Sequence, residues 1–167
     1  MFPSLLPIGA KRGRISHVDT IDRKILSELQ QDGRLTITEL AERVSLSLSP
    51  CHRRVRALEQ SGAISGYRAH LDAHTLGLTF EAIVFVTMRG SNPDTLTAFE
   101  QGTADIPNVL QAQRLFGEPD YLLRIVTRDL AAFQQLYDDQ LAALPGVQRL
   151  TSTIVMKSIV ESRPLPL

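Results

Sequence analysis

The chain has 167 residues, 43% of them hydrophobic, with 18 Lys+Arg, 18 Asp+Glu and one cysteine. This length suits one or two small domains with packed cores, and a single cysteine excludes an internal disulfide framework and a cysteine-based zinc site. No stretch approaches the roughly 20 apolar residues of a membrane helix, and the basic residues near the N-terminus follow the apolar start, whereas a secretory signal carries them in front. We therefore expect a cytoplasmic protein with no membrane contact.

The net charge of zero conceals an uneven distribution. Residues 1–70 contain 11 Lys+Arg and 7 Asp+Glu (net +4), whereas residues 71–167 contain 7 and 11 (net −4). A basic part is typical of a module that binds a polyanion, although charge alone does not exclude chance. We expect residues 1–16 to be a disordered extension. The alternative for its basic run Lys11–Arg14 is an arm that enters a DNA minor groove.

The first predicted helix follows this extension. Ile21, Ile25 and Leu29 recur every fourth residue, which predicts an amphipathic helix that Asp19 caps and Asp32-Gly33 ends.

Two further helices are predicted in quick succession. Thr36 and Glu39 have the spacing of a capping box, and an apolar stripe follows them. After a polar turn at residues 45–47, Ser47 is the expected cap of a third helix with Pro50 in its first turn, where proline is tolerated. Gly62 ends this helix, whose inner face includes the cysteine, which we interpret as a core residue.

Two short helices joined by a tight turn, the second of them basic, are typical of a helix-turn-helix, and residues 63–71 predict a strand or wing after it. Helical periodicity puts Arg53 and Arg56 opposite the apolar stripe, where arginine can pair with guanine in a major groove. Hydroxyl groups at the helix start can hold a phosphate. A solvated basic face on a generic three-helix domain is the alternative. The candidate DNA-contacting residues are Ser47, Ser49, Pro50, His52, Arg53, Arg54 and Arg56.

The second part of the chain predicts the order β-α-β-β-α-β after a hinge at residues 70–79. Helices are expected from Ser91-Asn92-Pro93 and from Asp129, the second with Leu130 on its inner face. This order is that of the ferredoxin-like fold, whose helices cover only one face of the sheet, while the first strand is apolar on both faces. We therefore expect homodimerisation through the open face, with a loosely covered monomer as the alternative. The predicted strands are 80–88, 109–116, 121–127 and 147–160.

Several short sequence segments occur together in an order that is characteristic of one protein family. In the first part they are Val18–Leu26, Asp32–Arg34, Glu39–Ala41, Leu46–Val55 and Leu58–Tyr67, and in the second part Gly117–Leu123, Leu144–Val147 and Thr151–Thr153. With these segments the chain closely resembles the Lrp/AsnC (feast/famine) family of prokaryotic transcription regulators over about residues 17–163. The resemblance implies a DNA-binding domain at 17–69 and an effector-binding and oligomerisation domain at 80–163.

The resemblance also implies partners. Dimers would present two recognition helices to a pseudo-palindromic double-stranded operator and would assemble into larger rings, often octamers. Amino-acid effectors would bind between regulatory domains of neighbouring dimers.

The chemistry of such a ligand points to a candidate site. An amino acid needs an acidic acceptor for its ammonium, here Asp120 or Glu118, and uncharged donors or a cation for its carboxylate. Backbone amides of the Gly117 turn and hydroxyls at 151–153 are suitable donors, although Pro119 removes one amide. An ordinary hairpin turn is the alternative. The candidate effector-binding residues are Leu115, Gly117, Glu118, Pro119, Asp120, Tyr121, Thr151, Ser152 and Thr153.

The predicted fold class is therefore α+β, a winged-helix-like helix-turn-helix domain followed by a ferredoxin-like domain. The predicted function is sequence-specific transcription regulation in response to a small effector. Because no catalytic triad order, metal cluster or phosphate-cradling glycine loop is present, we expect no enzymatic activity, no metal and no cofactor; His70 and His74 are interpreted as hinge residues. The alternative is a ligand-sensing oligomeric module, or a small enzyme, without specific DNA binding.

Overall fold

A computed structural model describes residues 18–167, so that the predicted extension and its basic run lie outside the described residues. The chain divides into two compact units, Leu71–Ile159 and a unit that combines the residues up to His70 with Val160–Leu167. In the described part of the chain, no helix is long and apolar enough to cross a membrane. The elements are α1 (Thr20–Gln31), α2 (Ile37–Arg43), α3 (Leu48–Gln60), β1 (Phe80–Met88), α4 (Pro93–Ala104), β2 (Val109–Arg114), β3 (Tyr121–Thr127), α5 (Leu130–Leu136) with a following π-helical turn (Tyr137–Leu141), and β4 (Val147–Ile154).

Three helices build the first unit around a small apolar core. Both expected helix starts are confirmed, since Asp19 and Thr36 each accept a hydrogen bond from the backbone N–H three residues on. These bonds satisfy amides that have no partner inside the helix. Side chains from all three helices meet in the core, which consists of Ile25, Leu40, Ala41, Val44, Cys51, Val55 and Leu58.

The turn between α2 and α3 is closed by backbone hydrogen bonds. Leu46 N–H donates to the Ala41 carbonyl at 2.9 Å and Ser45 N–H to the Glu42 carbonyl at 3.2 Å. This pattern is a Schellman motif, and it places Ser45 in the left-handed region at φ 58°. Ser47 lies at the N-cap position of α3 as predicted, but its side chain makes no capping hydrogen bond.

The predicted strand or wing after α3 is not a strand in this chain. Residues 63–71 have no regular secondary structure, although Ile64 N–H donates to the Leu58 carbonyl at 3.1 Å and its side chain packs against the core. A strand is stable only beside another strand, and none of the four described strands comes from the first unit.

The C-terminal segment groups with the first unit, although the sequence places residues 160–163 in the second domain. Leu165 N–H donates to Gln30 Oε1 at 2.6 Å, and Gln30 Nε2 donates to the Leu165 carbonyl at 3.3 Å.

The second unit is an antiparallel sheet in the order β2-β3-β1-β4 with two helices on one face, which confirms the ferredoxin-like fold. Alternate residues of β1 pack under α4 and α5, with Val84 and Phe99 fully buried. The residues between them, including Ile83 and Phe85, lie on the opposite face and are half-buried.

Two strand ends and one helix face differ from the predictions. β2 ends at Arg114 and β4 at Ile154, short of the predicted residues 116 and 160. The last pair of β4 joins Ile154 to Ala82, and β1 begins only two residues before Ala82, so a strand that continued to residue 160 would have no partner over most of its added length. Leu130 is 49% exposed and does not contribute to the inner face of α5.

Substitutions of Ser45 should separate backbone strain from side-chain contacts. We expect Ser45→Val to lower the free energy of unfolding by about 1–2 kcal/mol, because the left-handed region crowds Cβ against the carbonyl oxygen. Ser45→Gly should be at least as stable as the wild type. Urea denaturation followed by circular dichroism checks both, and a valine variant as stable as the glycine variant would contradict this explanation.

Candidate nucleic-acid interface and effector site

The outer face of α3 is basic and open to solvent. Ser49, Arg53 and Arg56 follow at helical spacing and are exposed, and His52 lies exposed beside them. Among the described residues, neither Arg53 nor Arg56 takes part in an ion pair. Their guanidinium groups are therefore available for an external anion or a base edge.

The start of α3 contributes less than predicted. Ser47 is exposed, with a hydroxyl that does not cap the helix, whereas Pro50 is half-buried and has no N–H to offer. Ser47 and Ser49 remain placed where hydroxyls can meet a phosphate.

Arg54 lies apart from the other predicted DNA contacts because it points toward the start of α1. Its Nη1 donates to Asp19 Oδ2 at 2.7 Å and to Asp22 Oδ1 at 2.8 Å. The hydrogen bond with Asp22, followed by that with Asp19, raises the pKa of Arg54. The backbone N–H of Asp22 and then Arg54 lower the pKa of Asp19. Periodicity alone placed Arg54 beside the basic face; the acidic pair at the start of α1 was the signal for its real partner.

The predicted effector turn is tied to the end of β1. Asp120 Oδ2 accepts from Met88 N–H at 2.7 Å, and the Asp120 N–H donates to the Val86 carbonyl at 2.9 Å. The Asp120 carbonyl accepts from Leu115 N–H at 2.7 Å, and Gly117 has φ +118°. One carboxylate oxygen of Asp120 therefore has a structural role.

Tyr121 is part of the core under the helices. Its side chain is only 3% exposed and its ring lies 4.6 Å from that of Phe99, centroid to centroid. The hydroxyl donates to Glu100 Oε1 at 2.8 Å. Burial, followed by the hydrogen bond with Glu100, raises the pKa of Tyr121 to about 12. The tyrosine thus supports the turn and does not offer a free hydroxyl donor.

The three hydroxyl groups predicted on β4 lie on two different faces. Thr151 pairs with Phe85 and Thr153 with Ile83 on the open face, whereas Ser152 pairs with Val84 on the helix-covered face. The alternation of side chains along a strand therefore prevents one site from using all three hydroxyls.

The turn and β4 are also separated across the sheet. Tyr121 of β3 and Leu150 of β4 pair with the same residue, Val86, so two strand spacings, roughly 10 Å, lie between them. An amino acid carries its ammonium and carboxylate on one carbon atom and cannot bridge that gap.

Two further side chains that the sequence analysis singled out, His70 and Cys51, have a partner or are buried. His70 Nε2 lies 3.2 Å from Ser162 Oγ, and burial raises the pKa of the Cys51 thiol, which favours the protonated form. Within residues 18–167, no cluster of three or more His, Cys, Asp or Glu side chains could hold a metal ion.

Comparisons with known proteins match both units. Residues 81–165 match the family model of the Lrp/AsnC ligand-binding domain, and residues 18–65 match that of a winged helix-turn-helix DNA-binding domain. The chain is 42% identical over 145 residues to a leucine-responsive regulatory protein of Rhizobium meliloti, covering 87% of this chain and 93% of the relative. It is 39% identical over 153 residues to the Bkd operon transcriptional regulator of Pseudomonas aeruginosa, covering 92% and 100%.

Solved structures agree with these relatives. A transcriptional regulator of Neisseria meningitidis in complex with L-methionine is 40% identical, with a TM-score of 0.84 and coverage of 89% of this chain and 96% of that chain. A feast or famine regulatory protein of M. tuberculosis complexed with L-methionine is 31% identical, with a TM-score of 0.77 and coverage of 87% and 97%.

Proposed function

The chain belongs to the Lrp/AsnC family of transcriptional regulators, and on this premise we propose how its two units divide the work. The helix-turn-helix unit binds double-stranded DNA through the outer face of α3, and the ferredoxin-like unit assembles the chain and binds a small effector. The exposed Arg53 and Arg56, free of ion pairs among the described residues, are the observation that carries this proposal. We propose that residues 70–79, which include the boundary between the two units, act as the hinge.

The charges of the first unit support this assignment. Arg43 is paired with Glu28 at 3.1 Å and Arg54 with two aspartates, so both guanidinium groups already have carboxylate partners within the unit. The free positive charge of α3 is thereby concentrated on one narrow stripe. A helix with such a stripe fits the major groove, where arginine recognises guanine bidentately.

The open face of the sheet supports a homodimer. Ile83, Phe85 and Leu122 form its apolar centre and are half-buried in the single chain. On the same face Arg124 binds Glu81 through two hydrogen bonds of 2.6 and 3.0 Å, so that burial would not leave these charges unpaired. We propose that two copies join through this face, present their α3 helices to a pseudo-palindromic operator and assemble further, up to an octamer.

The effector is proposed to be an amino acid, with L-methionine as the first probe because two similar regulators were crystallised with it. The second oxygen of Asp120 and the carboxylate of Glu118 are the acceptors available near the Gly117 turn. Within one chain the hydroxyls of β4 lie two strand spacings from this turn, so we propose that a second copy contributes the groups that complete the site. Ligand binding would then favour one assembly over another, which is the requirement for allostery.

We further propose that the protein works in the cytoplasm and has no catalytic activity. The alternative, a ligand-sensing module without specific DNA binding, leaves the basic stripe of α3 without a role.

Removing the free arginines should weaken DNA binding. We expect Arg53→Ala and Arg56→Ala each to reduce affinity by about 1–3 kcal/mol where a base contact is lost, or to reduce the salt slope by about 1 where a phosphate contact is lost. Fluorescence anisotropy at several salt concentrations measures both, on a site that the wild type selects from random DNA. Lys157→Ala, which removes an exposed positive charge from the second unit, is the control. Unchanged affinity and slope would remove both arginines from the interface.

A charge on the open sheet face should separate the copies. We expect Phe85→Asp to yield monomers, because an unpaired carboxylate would be buried at the centre of the interface. Light scattering after gel filtration gives the mass, and circular dichroism verifies that the variant is folded. Leu130→Asp, on an exposed position of α5, should keep the wild-type mass. A folded Phe85→Asp variant with the wild-type mass would exclude this interface.

The role of Asp120 can be tested without breaking its turn. Asp120→Asn keeps an oxygen for Met88 N–H but loses the charge that would bind an ammonium group. We expect wild type and Glu118→Gln to show a rise in melting temperature with L-methionine, and Asp120→Asn to show none. Loss in Glu118→Gln alone would assign the ammonium to Glu118, and a full response in both variants would refute the site.

A further inference from the structure

Arg54 is the residue of the recognition helix whose charge is neutralised inside the protein. It sits next to Arg53 in the sequence, yet its side chain is 30% exposed and reaches two aspartates of α1. Resting on the proposed DNA-binding role of α3, we propose that Arg54 is a positioning residue that fixes the rotation of this helix and makes no DNA contact of its own.

The hydrogen bonds around Arg54 form a closed network. Asp19 uses Oδ1 to accept from Asp22 N–H at 2.8 Å and Oδ2 to accept from Arg54. Asp22 uses Oδ2 to accept from Asp19 N–H at 3.2 Å and Oδ1 to accept from Arg54. All four carboxylate oxygens thus have a donor, and the capping box of α1 is joined to the middle of α3.

The hydrogen bonds of Arg54 are directional, whereas the apolar contacts in the core are not. The inner side chains of α3, Cys51, Val55 and Leu58, pack through apolar contacts, which depend on buried area and tolerate small rotations. Hydrogen bonds weaken steeply as their angle departs from linearity. The two bonds of Arg54 therefore restrain the rotation of α3, on which the direction of Arg53 and Arg56 depends.

The charge of the network also argues against contact with DNA. One guanidinium and two carboxylates leave a net negative charge beside Arg54. A phosphate placed there would meet both aspartates, whereas the stripe of Arg53 and Arg56 has no such neighbours among the described ion pairs. Electrostatic repulsion by the aspartates therefore disfavours a phosphate beside Arg54 and favours one beside Arg53 and Arg56.

A double-mutant cycle with Arg54→Met, Asp22→Asn and the combined variant tests this role. Affinity is measured on the site selected by the wild type and on random DNA, over a series of salt concentrations and below the melting temperature of each variant. We expect Arg54→Met to lower the ratio of the two affinities about 10-fold, since misdirected arginines lose base contacts, with an unchanged salt slope. Asp22→Asn should show part of this loss, and the combined variant should be no worse than Arg54→Met alone.

Other outcomes have distinct meanings. A salt slope lower by about 1 in Arg54→Met, with full affinity in Asp22→Asn, would show a phosphate contact and overturn the proposal. Equal losses on both DNAs would also overturn it, because a positioning residue acts on specificity. Should Arg54→Met not fold, Arg54→Lys and Asp22→Asn carry the test, and the lysine should recover part of the specificity. A wild type without salt-dependent DNA binding would instead refute the proposed function itself.

Discussion

The constraint on which the rest depends is that two helices cover only one face of a four-stranded sheet. Because side chains alternate between the two faces along β1, Val84 lies under α4 and α5, whereas Phe85 lies on the opposite face of the sheet. A half-buried apolar face of this kind is stabilised when a second copy covers it. In the proposed homodimer the same face would link the fold of one unit to the assembly of the protein, and a two-fold assembly would in turn set the symmetry of the operator.

The first unit obeys a different constraint, which concerns the pairing of its cations. Basic residues on a helix contribute to DNA recognition only when their charge is not satisfied inside the protein. Arg43 is paired with Glu28, and Arg54 is paired with the aspartates of the α1 capping box, so that Arg53 and Arg56 are the arginines of α3 without an ion pair among the described residues. The zero net charge of the chain is thus a poor predictor of DNA binding, whereas the positions of the unpaired arginines on α3 are a better one.

Local signals in the sequence were sufficient for most of the fold. The caps at Asp19 and Thr36 were predictable because a capping box involves residues only three apart. The C-terminal ends of β2 and β4 and the missing strand at 63–71 were not, since strand limits depend on a partner elsewhere in the chain. The same reason explains Arg54: helical periodicity gives its face, but its aspartates lie more than 30 residues away. Three adjacent hydroxyls on β4 also looked like one cluster until the strand placed Ser152 opposite Val84.

The separation of the turn from β4 bears on how a ligand could regulate DNA binding. Asp120 is held by Met88 N–H at one end of β1, and the hydroxyls predicted on β4 lie two strand spacings away from the turn. A ligand site shared between copies, as proposed here, has an affinity that depends on how the copies are arranged. By thermodynamic reciprocity, the ligand must then shift the arrangement by the same free energy as the arrangement shifts ligand binding. In the proposed assembly the operator also contacts two or more copies, so that effector and DNA would act on a single equilibrium, that of the assembly.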